Sequence, residues 1–436
     1  VVIAVGTTRH VVVEPGALAS LPALLSSCFG SDVAVLIADE RTFEAAGEAV
    51  DSALRASGSS TAVSIVLPGT PPPYADIETV ALVERQLRER PGVPVVVGSG
   101  TLNDVMKVVA HRLGRAYACV ATAASMDGYT AFGAAITVGG FKRTLPCPPP
   151  LVLVADLDVL TRAPAALTAA GYGDLLGKVT AGADWIVADE LGVEPIDARA
   201  WALVQDHLRS WIALPDAVAA AHPDAVEALF EGLVQTGIAM QVSASSRPAS
   251  GSEHLFSHLW EMQALATGAT TFAHGHKVAV GTLASAALYE RLLERDLSRI
   301  DVERRVRGLH SQARIADHAV TETLDKYVDP SRLRRRLERL RERWPALRER
   351  LVAQLLPAAT VRTMLEHVGC PTEPSAIGLD GGAFRTDHIR AHTIRSRYTM
   401  LDLAVEAGVL DACVAEVFGP RGFWYGHAPL APRDRS

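Results

Sequence analysis

The chain has 436 residues, 49% of them hydrophobic and 21% charged, with a formal net charge of −7. That length suits two domains, and the apolar share is enough to give each a core. An acidic balance supplies no general basic field, so nucleic acid and anionic membrane are poor partners, and any anionic ligand needs a local cluster of cations.

The five cysteines (Cys28, Cys119, Cys147, Cys370 and Cys413) are scattered and form no CxxC pair. This speaks against a disulfide framework or a thiolate zinc site and fits a reducing compartment. The sequence opens without a signal peptide, and no apolar run reaches the roughly 18 residues of a membrane-spanning helix. A cytoplasmic protein with no membrane span is expected.

Short β-rich runs recur as far as about residue 157, namely DVAVLIA, AVSIVLP, VPVVVGSG, YACVATA and LVLVADL. Helical stretches lie between them, among them ERTFEAAGEAVDSALRAS and IETVALVERQLRER. Buried strands alternating with helices predict an open, mostly parallel sheet. Beyond about residue 160 the runs YGDLLGKVTAGADWIVADELG, WALVQDHLRSWIALP and DAVEALFEGLVQTGIAMQV all read as helices. The expectation is an α/β Rossmann-like domain over residues 1–160 and an all-α domain over 161–436, with a ligand in a cleft between them.

Two features of the first half suit a dinucleotide. The strand ending at Asp39 places a carboxylate where an adenosine ribose could be read, and its charge would repel a 2′-phosphate, favouring NAD over NADP. The same residue would cap the helix that DERTFEAA starts, and the two roles are compatible. Further on, VPVVVGSG runs into the helix TLNDVMKVVAHRLG. The small residues Gly98, Ser99 and Gly100 let backbone amides approach a pyrophosphate at a helix N-terminus. The turn is neither a GxGxxG nor a P-loop, and a plain tight turn is the alternative.

The stretch SGSEHLFSHLWEMQALATGATTFAHGHKVAVGT holds four of the fourteen histidines. His254 and His258 fall on one helical face, and His274 and His276 follow a short TGATT turn. Packed neutral imidazoles are costly unless a cation or an acid organises them. Two histidines and a distant carboxylate would leave a divalent metal an open position. The best carboxylate is Asp174 in AGYGDLLGK, which would otherwise serve as an acid near a helix N-terminus.

The basic run SRLRRRLERLRERWPALRERL carries Leu333, Leu337, Leu340, Trp344, Leu347 and Leu351 at spacings of four and three. This predicts an amphipathic surface helix or helix pair, broken near Pro345, with a dimer contact as the rival reading.

The motifs GSGTLND, TAASMDGYT, GFKRT, GYGDLLGK, SGSEHLFSHLWE, HGHKVAVGT and IRSRYTMLDLAVEAG together resemble the sn-glycerol-1-phosphate dehydrogenase family. That family lies within the superfamily of iron-containing alcohol dehydrogenases, glycerol dehydrogenase and dehydroquinate synthase. The resemblance runs from about residue 30 to about residue 415. It implies a dehydroquinate-synthase-like fold, with the metal and substrate in the helical domain. Its metal ligands fall on Asp174, His254 and His274, holding one divalent ion, Zn²⁺ first and Ni²⁺ or Fe²⁺ as alternatives. The pyrophosphate loop falls on Gly98, Ser99, Gly100, Asn103 and Asp104, the ribose acid on Asp39, and the nicotinamide side on Thr122 and Ser125. Asp127 becomes the substrate-side carboxylate and His258 the residue that relays a proton, so these two are the catalytic candidates. His276 stays outside the site.

The resemblance further implies NADH-linked, metal-dependent reduction of dihydroxyacetone phosphate to sn-glycerol 1-phosphate, with NADPH as the alternative donor. A related phosphorylated ketone is a further substrate, and the product would feed phospholipid or specialised biosynthesis. Arg247 stands where dehydroquinate synthase relatives place a phosphate-binding arginine, and Lys142 with Arg143 would complete the cradle. The structural alternative for Arg247 is a surface arginine. A homodimer is the expected assembly. The rival activity is a cyclase of the dehydroquinate synthase type, acting on a sugar phosphate with transient oxidation by NAD and usually carrying Glu where Asp174 stands. The tail GPRGFWYGHAPLAPRDRS extends past the usual family end and would cap a cleft or a neighbouring subunit.

Overall fold

A computed structural model describes residues 6–30, 33–61, 64–139, 141–269, 272–311, 326 and 328–427. The chain divides into two compact units, Val1–Leu175 with Arg199–Ser246, and Leu176–Ala198 with Arg247–Ser436. The units do not follow the change from strand to helix near residue 160. The first unit takes in the helix Pro223–Ser243 as well as the sheet.

The first unit is built on strands β1 (His10–Glu14), β2 (Val33–Asp39), β3 (Ser60–Thr61), β4 (Ile65–Leu67), β5 (Val93–Gly98), β6 (Ala118–Ala121) and β9 (Val152–Asp156). They form one sheet in the order β1-β9-β6-β5-β2-β3, with β4 also paired to β2. Every pairing is parallel. The reason is in the composition. Val35, Leu36, Ile37, Val95, Val96 and Val97 are all at most 1% exposed, so both sheet faces are covered, as in a sheet built by helical crossovers. The edge strand β1 and a separate antiparallel hairpin, β7 (Ala134–Val138) with β8 (Phe141–Leu145), are additions to the expected strand series.

The helix after β2 begins at Asp39, whose side chain accepts the amides of Arg41 and Thr42 in a capping box. It is not a uniform α-helix, because Phe43–Gly47 is a π-helical stretch before the α-helix Glu48–Ala56. The helix Pro223–Ser243 reaches the 127–131 segment through Gly237, where a Cβ would come within 2.8 Å of the Asp127 carbonyl oxygen.

In the second unit the helices Ser252–Thr267 and His274–Leu293 follow one another, the first ending at Gly268 with a left-handed φ of 67°. Pro330–Gln354 is a single helix of 25 residues that runs through Pro345, so the expected break is absent. All six apolar stripe residues are buried. Trp344 donates to the Arg295 carbonyl and Gln354 to that of Val179, both within this unit. Packing along the whole stripe outweighs one missing helical hydrogen bond. The stripe therefore spends its apolar face inside the unit, where the rival reading had a dimer contact.

The tail is anchored by Trp424. Trp424 is fully buried, its amide donates to the Val417 carbonyl (2.9 Å), and its ring meets Phe384 edge-on at 5.0 Å. Beyond His427 the tail lies outside the described residues. Among the described residues no helix is long and apolar enough to cross a membrane.

Candidate functional site

Asp174, His254 and His274 each offer one ligand atom, and these atoms all lie within 4.8 Å of one another. Asp174 is carried by the helix Ala165–Leu176, whose Gly171 is pressed against the preceding loop. A Cβ at Gly171 would stand 1.9 Å from the Ala124 carbonyl oxygen, so only glycine permits this approach. The Asp174 carboxylate is oriented in turn, because its Oδ2 accepts the Asp127 amide at 3.0 Å.

The histidines form a triangle. Ring centroids are 5.2 Å apart for His254 and His274, 6.0 Å for His254 and His258, and 6.1 Å for His258 and His274. His254 is buried, whereas His258, His274 and His276 are half-buried. Only the first three share the triangle, and His276 is not one of the three candidate ligands.

Glu253, in contact with a candidate ligand, is a residue that motif reasoning passed over. It is fully buried, and its Oε1 lies 2.8 Å from His254 Nδ1 and accepts the Gly251 amide at 2.6 Å. Its Oε2 accepts from Thr180 Oγ1 at 2.9 Å. Burial opposes ionisation of this acid, but the bonds from His254 and the Gly251 amide hold the carboxyl below its ordinary value. With Nδ1–H donated to Glu253, Nε2 of His254 is left as a lone-pair donor. An acid directly before the first histidine of an HxxxH, in a stretch otherwise poor in charge, was the available signal.

Behind Glu253 stands Asp184, also fully buried. It accepts from Tyr289 Oη (2.7 Å), the Met400 amide (2.7 Å) and the Ser252 amide (2.6 Å). Burial, then the like charge of Glu253, pushes its carboxyl up to about 6 against those donors. It serves the N-terminus of the helix that carries the histidines, and Gly251 lets the backbone pass it, since a Cβ there would be 2.5 Å from Asp184 Oδ2.

At the end of β5, Ser99 is the N-cap of the helix Gly100–Leu113 but its side chain makes no capping hydrogen bond. The amides of the first helical turn thus point at the loop mouth, where an anion is favoured. Gly98 and Gly100 have a packing reason as well. A Cβ would lie 2.6 Å from Leu102 Cδ1 at the first and 2.8 Å from Met126 Cε at the second. Thr122 and Ser125 are nearly buried beside this turn, and the Thr122 amide donates to the Gly98 carbonyl at 3.3 Å.

Asn103 and Asp104 do not face the loop mouth. Asn103 donates to the Tyr129 carbonyl (3.2 Å) and accepts from Tyr117 Oη (2.9 Å). Asp104 pairs with Lys107 (3.2 Å) and accepts the Ala135 amide (3.2 Å). Both are one turn into the helix, where side chains turn towards the packed face rather than the open end. Asp39 is 8% exposed, and both amides it caps fall on Oδ1.

Of the cations expected at the phosphate, Lys142 and Arg143 do not share a face. Lys142 is half-buried and Arg143 exposed, and as neighbours on β8 they leave the hairpin on opposite faces. Arg247 is not a surface residue. It is 1% exposed, donates to the carbonyls of Tyr398 (2.8 Å) and Asp184 (2.7 Å), and lies 3.6 Å from Glu194.

A family model described as iron-containing alcohol dehydrogenase matches residues 12–164. A glycerol-1-phosphate dehydrogenase of Geobacillus thermodenitrificans is 30% identical over 371 residues, 84% of this chain and 85% of that protein. The chain belongs to the glycerol-1-phosphate dehydrogenase family. Another glycerol-1-phosphate dehydrogenase, from Halalkalibacterium halodurans, is 34% identical over 58% of this chain, and the match spans 64% of that relative. A probable glycerol dehydrogenase from Sinorhizobium meliloti superposes with a TM-score of 0.61 at 18% identity, covering 94% of this chain and 98% of the other. That likeness concerns the fold, an α/β part with a mostly parallel sheet and a helical part. Members of the glycerol-1-phosphate dehydrogenase family use a nicotinamide dinucleotide and a divalent metal, and one carboxylate with two imidazoles is a donor set that fits such an ion. These kinships do not favour the cyclase reading.

Proposed function

We propose that this chain reduces dihydroxyacetone phosphate to sn-glycerol 1-phosphate, reversibly and with NADH, using Asp174, His254 and His274 to hold a single Zn²⁺. The observation that carries the proposal is the convergence of those three ligand atoms within 4.8 Å, in a member of this family. When bound, the dinucleotide supplies the hydride and the cation supplies the Lewis acidity that reduction of a ketone needs.

The chain's own residues do the rest. Glu253 fixes the His254 ring and tautomer, and the Asp127 amide fixes Asp174, so neither ligand has to be reoriented on binding. His258 delivers a proton to the oxygen that becomes the product hydroxyl, a role supported by its half-buried ring 6.0 Å from that of His254 between centroids. Asp127 is nearly buried and offers its carboxylate on the substrate side. Gly98, Ser99 and Gly100, with the first turn of the Gly100–Leu113 helix, receive the pyrophosphate. Thr122 and Ser125 line the nicotinamide side. Asp39 reads the ribose while capping its own helix, and its charge disfavours the 2′-phosphate of NADP. Lys142 is the remaining cation for the substrate phosphate.

Residues 1–160 accordingly serve the dinucleotide, with Asp127 and Lys142 added for the substrate, and 161–436 the metal and substrate. Cytoplasmic location is supported by five free cysteines, four of them buried. A homodimer belongs to the same proposal, and sedimentation velocity decides it. The deciding experiment follows NADH absorbance with dihydroxyacetone phosphate and zinc, then assigns the product by a chiral assay. Steady NADH consumption and sn-glycerol 1-phosphate are expected; turnover of a sugar phosphate without net NADH consumption would replace this reading with the cyclase.

A further inference from the structure

We propose that Lys107 is a positioning residue of the metal centre, fixing from the nucleotide-side helix the loop whose Asp127 amide donates to the Asp174 carboxylate. The inference rests on the metal reading of Asp174, His254 and His274.

Lys107 lies in the middle of the helix Gly100–Leu113 and is fully buried. An ammonium group in that position is costly unless its three donors are all used. They are: Nζ donates to the Gly128 carbonyl at 2.5 Å, to the Gly133 carbonyl at 3.1 Å and to Asp104 Oδ1 at 3.2 Å. Two of the three acceptors are backbone atoms of the segment that carries Asp127. The third, Asp104, holds the same segment with its other oxygen through the Ala135 amide.

The remaining restraints on this segment leave few ways for it to move. Asn103 binds the Tyr129 carbonyl from the same helix. From the helix Pro223–Ser243, the Val234 carbonyl accepts from Thr130 Oγ1 at 2.7 Å. From the helix Ala165–Leu176, Gly171 abuts the Ala124 carbonyl. At the centre, the Asp127 amide points at Asp174 Oδ2, 3.0 Å away. The Gly128 carbonyl gripped by Lys107 is only one residue along from that amide, so a shift of the first carries the second with it. A role in the nucleotide loop would not require such a side chain, because Lys107 sits two turns inside the helix. A purely structural role would not place its acceptors beside a ligand's orienting donor.

The test compares Lys107→Met with Arg115→Met, using metal-free protein and zinc competed against a chromogenic chelator. Arg115 is a matched control because its guanidinium also serves three carbonyls of the first unit, those of Leu87, Arg90 and Gly92. Lys107→Met should weaken zinc binding by roughly tenfold or more, as loss of an orienting partner does elsewhere, while Arg115→Met keeps the wild-type affinity. Equal zinc affinity in Lys107→Met and wild type would overturn the inference and leave the metal reading intact. Wild-type protein that binds no zinc would overturn both. If Lys107→Met does not fold, hydrogen exchange on the wild type takes its place. Zinc should slow exchange of the amides of residues 127–133, and exchange unchanged by zinc would overturn the inference.

Discussion

Glu253 and His254 are neighbours in sequence whose side chains also meet, with Oε1 of the acid 2.8 Å from Nδ1 of the ring. The contact occupies Nδ1 of His254, so Nε2 is the nitrogen that can serve as a metal ligand. The helix Ser252–Thr267 therefore starts with two buried acids at its back, Glu253 and Asp184, and an oriented imidazole at its front.

Glu253→Gln tests the charge apart from the geometry. The amide can still accept from His254 and Gly251 on one side and donate to Thr180 Oγ1 on the other, so folding stability should change little. Zinc affinity should fall by about 10- to 100-fold, because the ring loses the carboxylate that raises its basicity. Chelator competition measures it, and unchanged affinity would remove Glu253 from the site.

Arg247 and Lys142 should separate. Arg247→Met strands two carbonyls, those of Tyr398 and Asp184, at about 1–3 kcal/mol for each buried group left unsatisfied. The expected outcome is a Tm lower by several degrees, with KM for dihydroxyacetone phosphate and for dihydroxyacetone affected alike. Lys142→Ala should instead raise KM for the phosphorylated ketone alone. The reverse pattern in steady-state kinetics would restore Arg247 to the phosphate.

His388 gives a pH signature. It is fully buried among Phe256, Phe384 and Phe418, and burial pushes its ring down to about 4. Below the ordinary value of about 6.5 the unfolded chain takes a proton that the folded chain refuses, so its contribution is full above that pH and is lost as pH falls towards 4. The loss amounts to at most about 3 kcal/mol. Asp387 beside it has the opposite sign. Burial raises its carboxyl to about 6, and its contribution is present at low pH and lost as pH rises through that value. His388→Phe removes only the first, so its Tm should fall less than that of wild type between pH 7 and pH 5 by differential scanning calorimetry.

Trp424→Ala should destabilise the second unit by about 3–5 kcal/mol, the usual loss for a large buried aromatic. Thermal unfolding would show it, with zinc affinity of the folded protein unaffected. A shift within error would mean that the tail is not seated on Phe384.

The central strands were legible because a strand buried on both faces is written as an uninterrupted apolar run, as in VAVLIA and VPVVV. β1 and the β7–β8 hairpin were not, because the first is a five-residue edge strand and the second sets the weakly apolar AAITV against FKRTL, with Lys142, Arg143 and Thr144 in a row. The three candidate ligands were readable from the pattern of motifs, since a family resemblance fixed which acid and which histidines to pair. Spacing alone left His276 and His258 on the same footing. The direction of Asn103, Asp104 and Arg247 was beyond the sequence. Each is a polar residue in a helix or loop, and only the folded backbone shows which way its polar atoms turn. Pro345 misled for a related reason, because a proline's local cost is plain in sequence whereas the packing that absorbs it is not.

The place of β9 between β1 and β6 has a consequence for biosynthesis. His10–Glu14 is translated well before its hydrogen-bonding partner Val152–Asp156, and Asp156 also receives the amides of Gly16 and Leu18. The first strand must therefore wait, with Val11, Val12 and Val13 unpaired, until well over a hundred further residues have been translated. The sheet can thus grow from the β2–β3 side through β5 and β6, and β1 joins it only once β9 has been made.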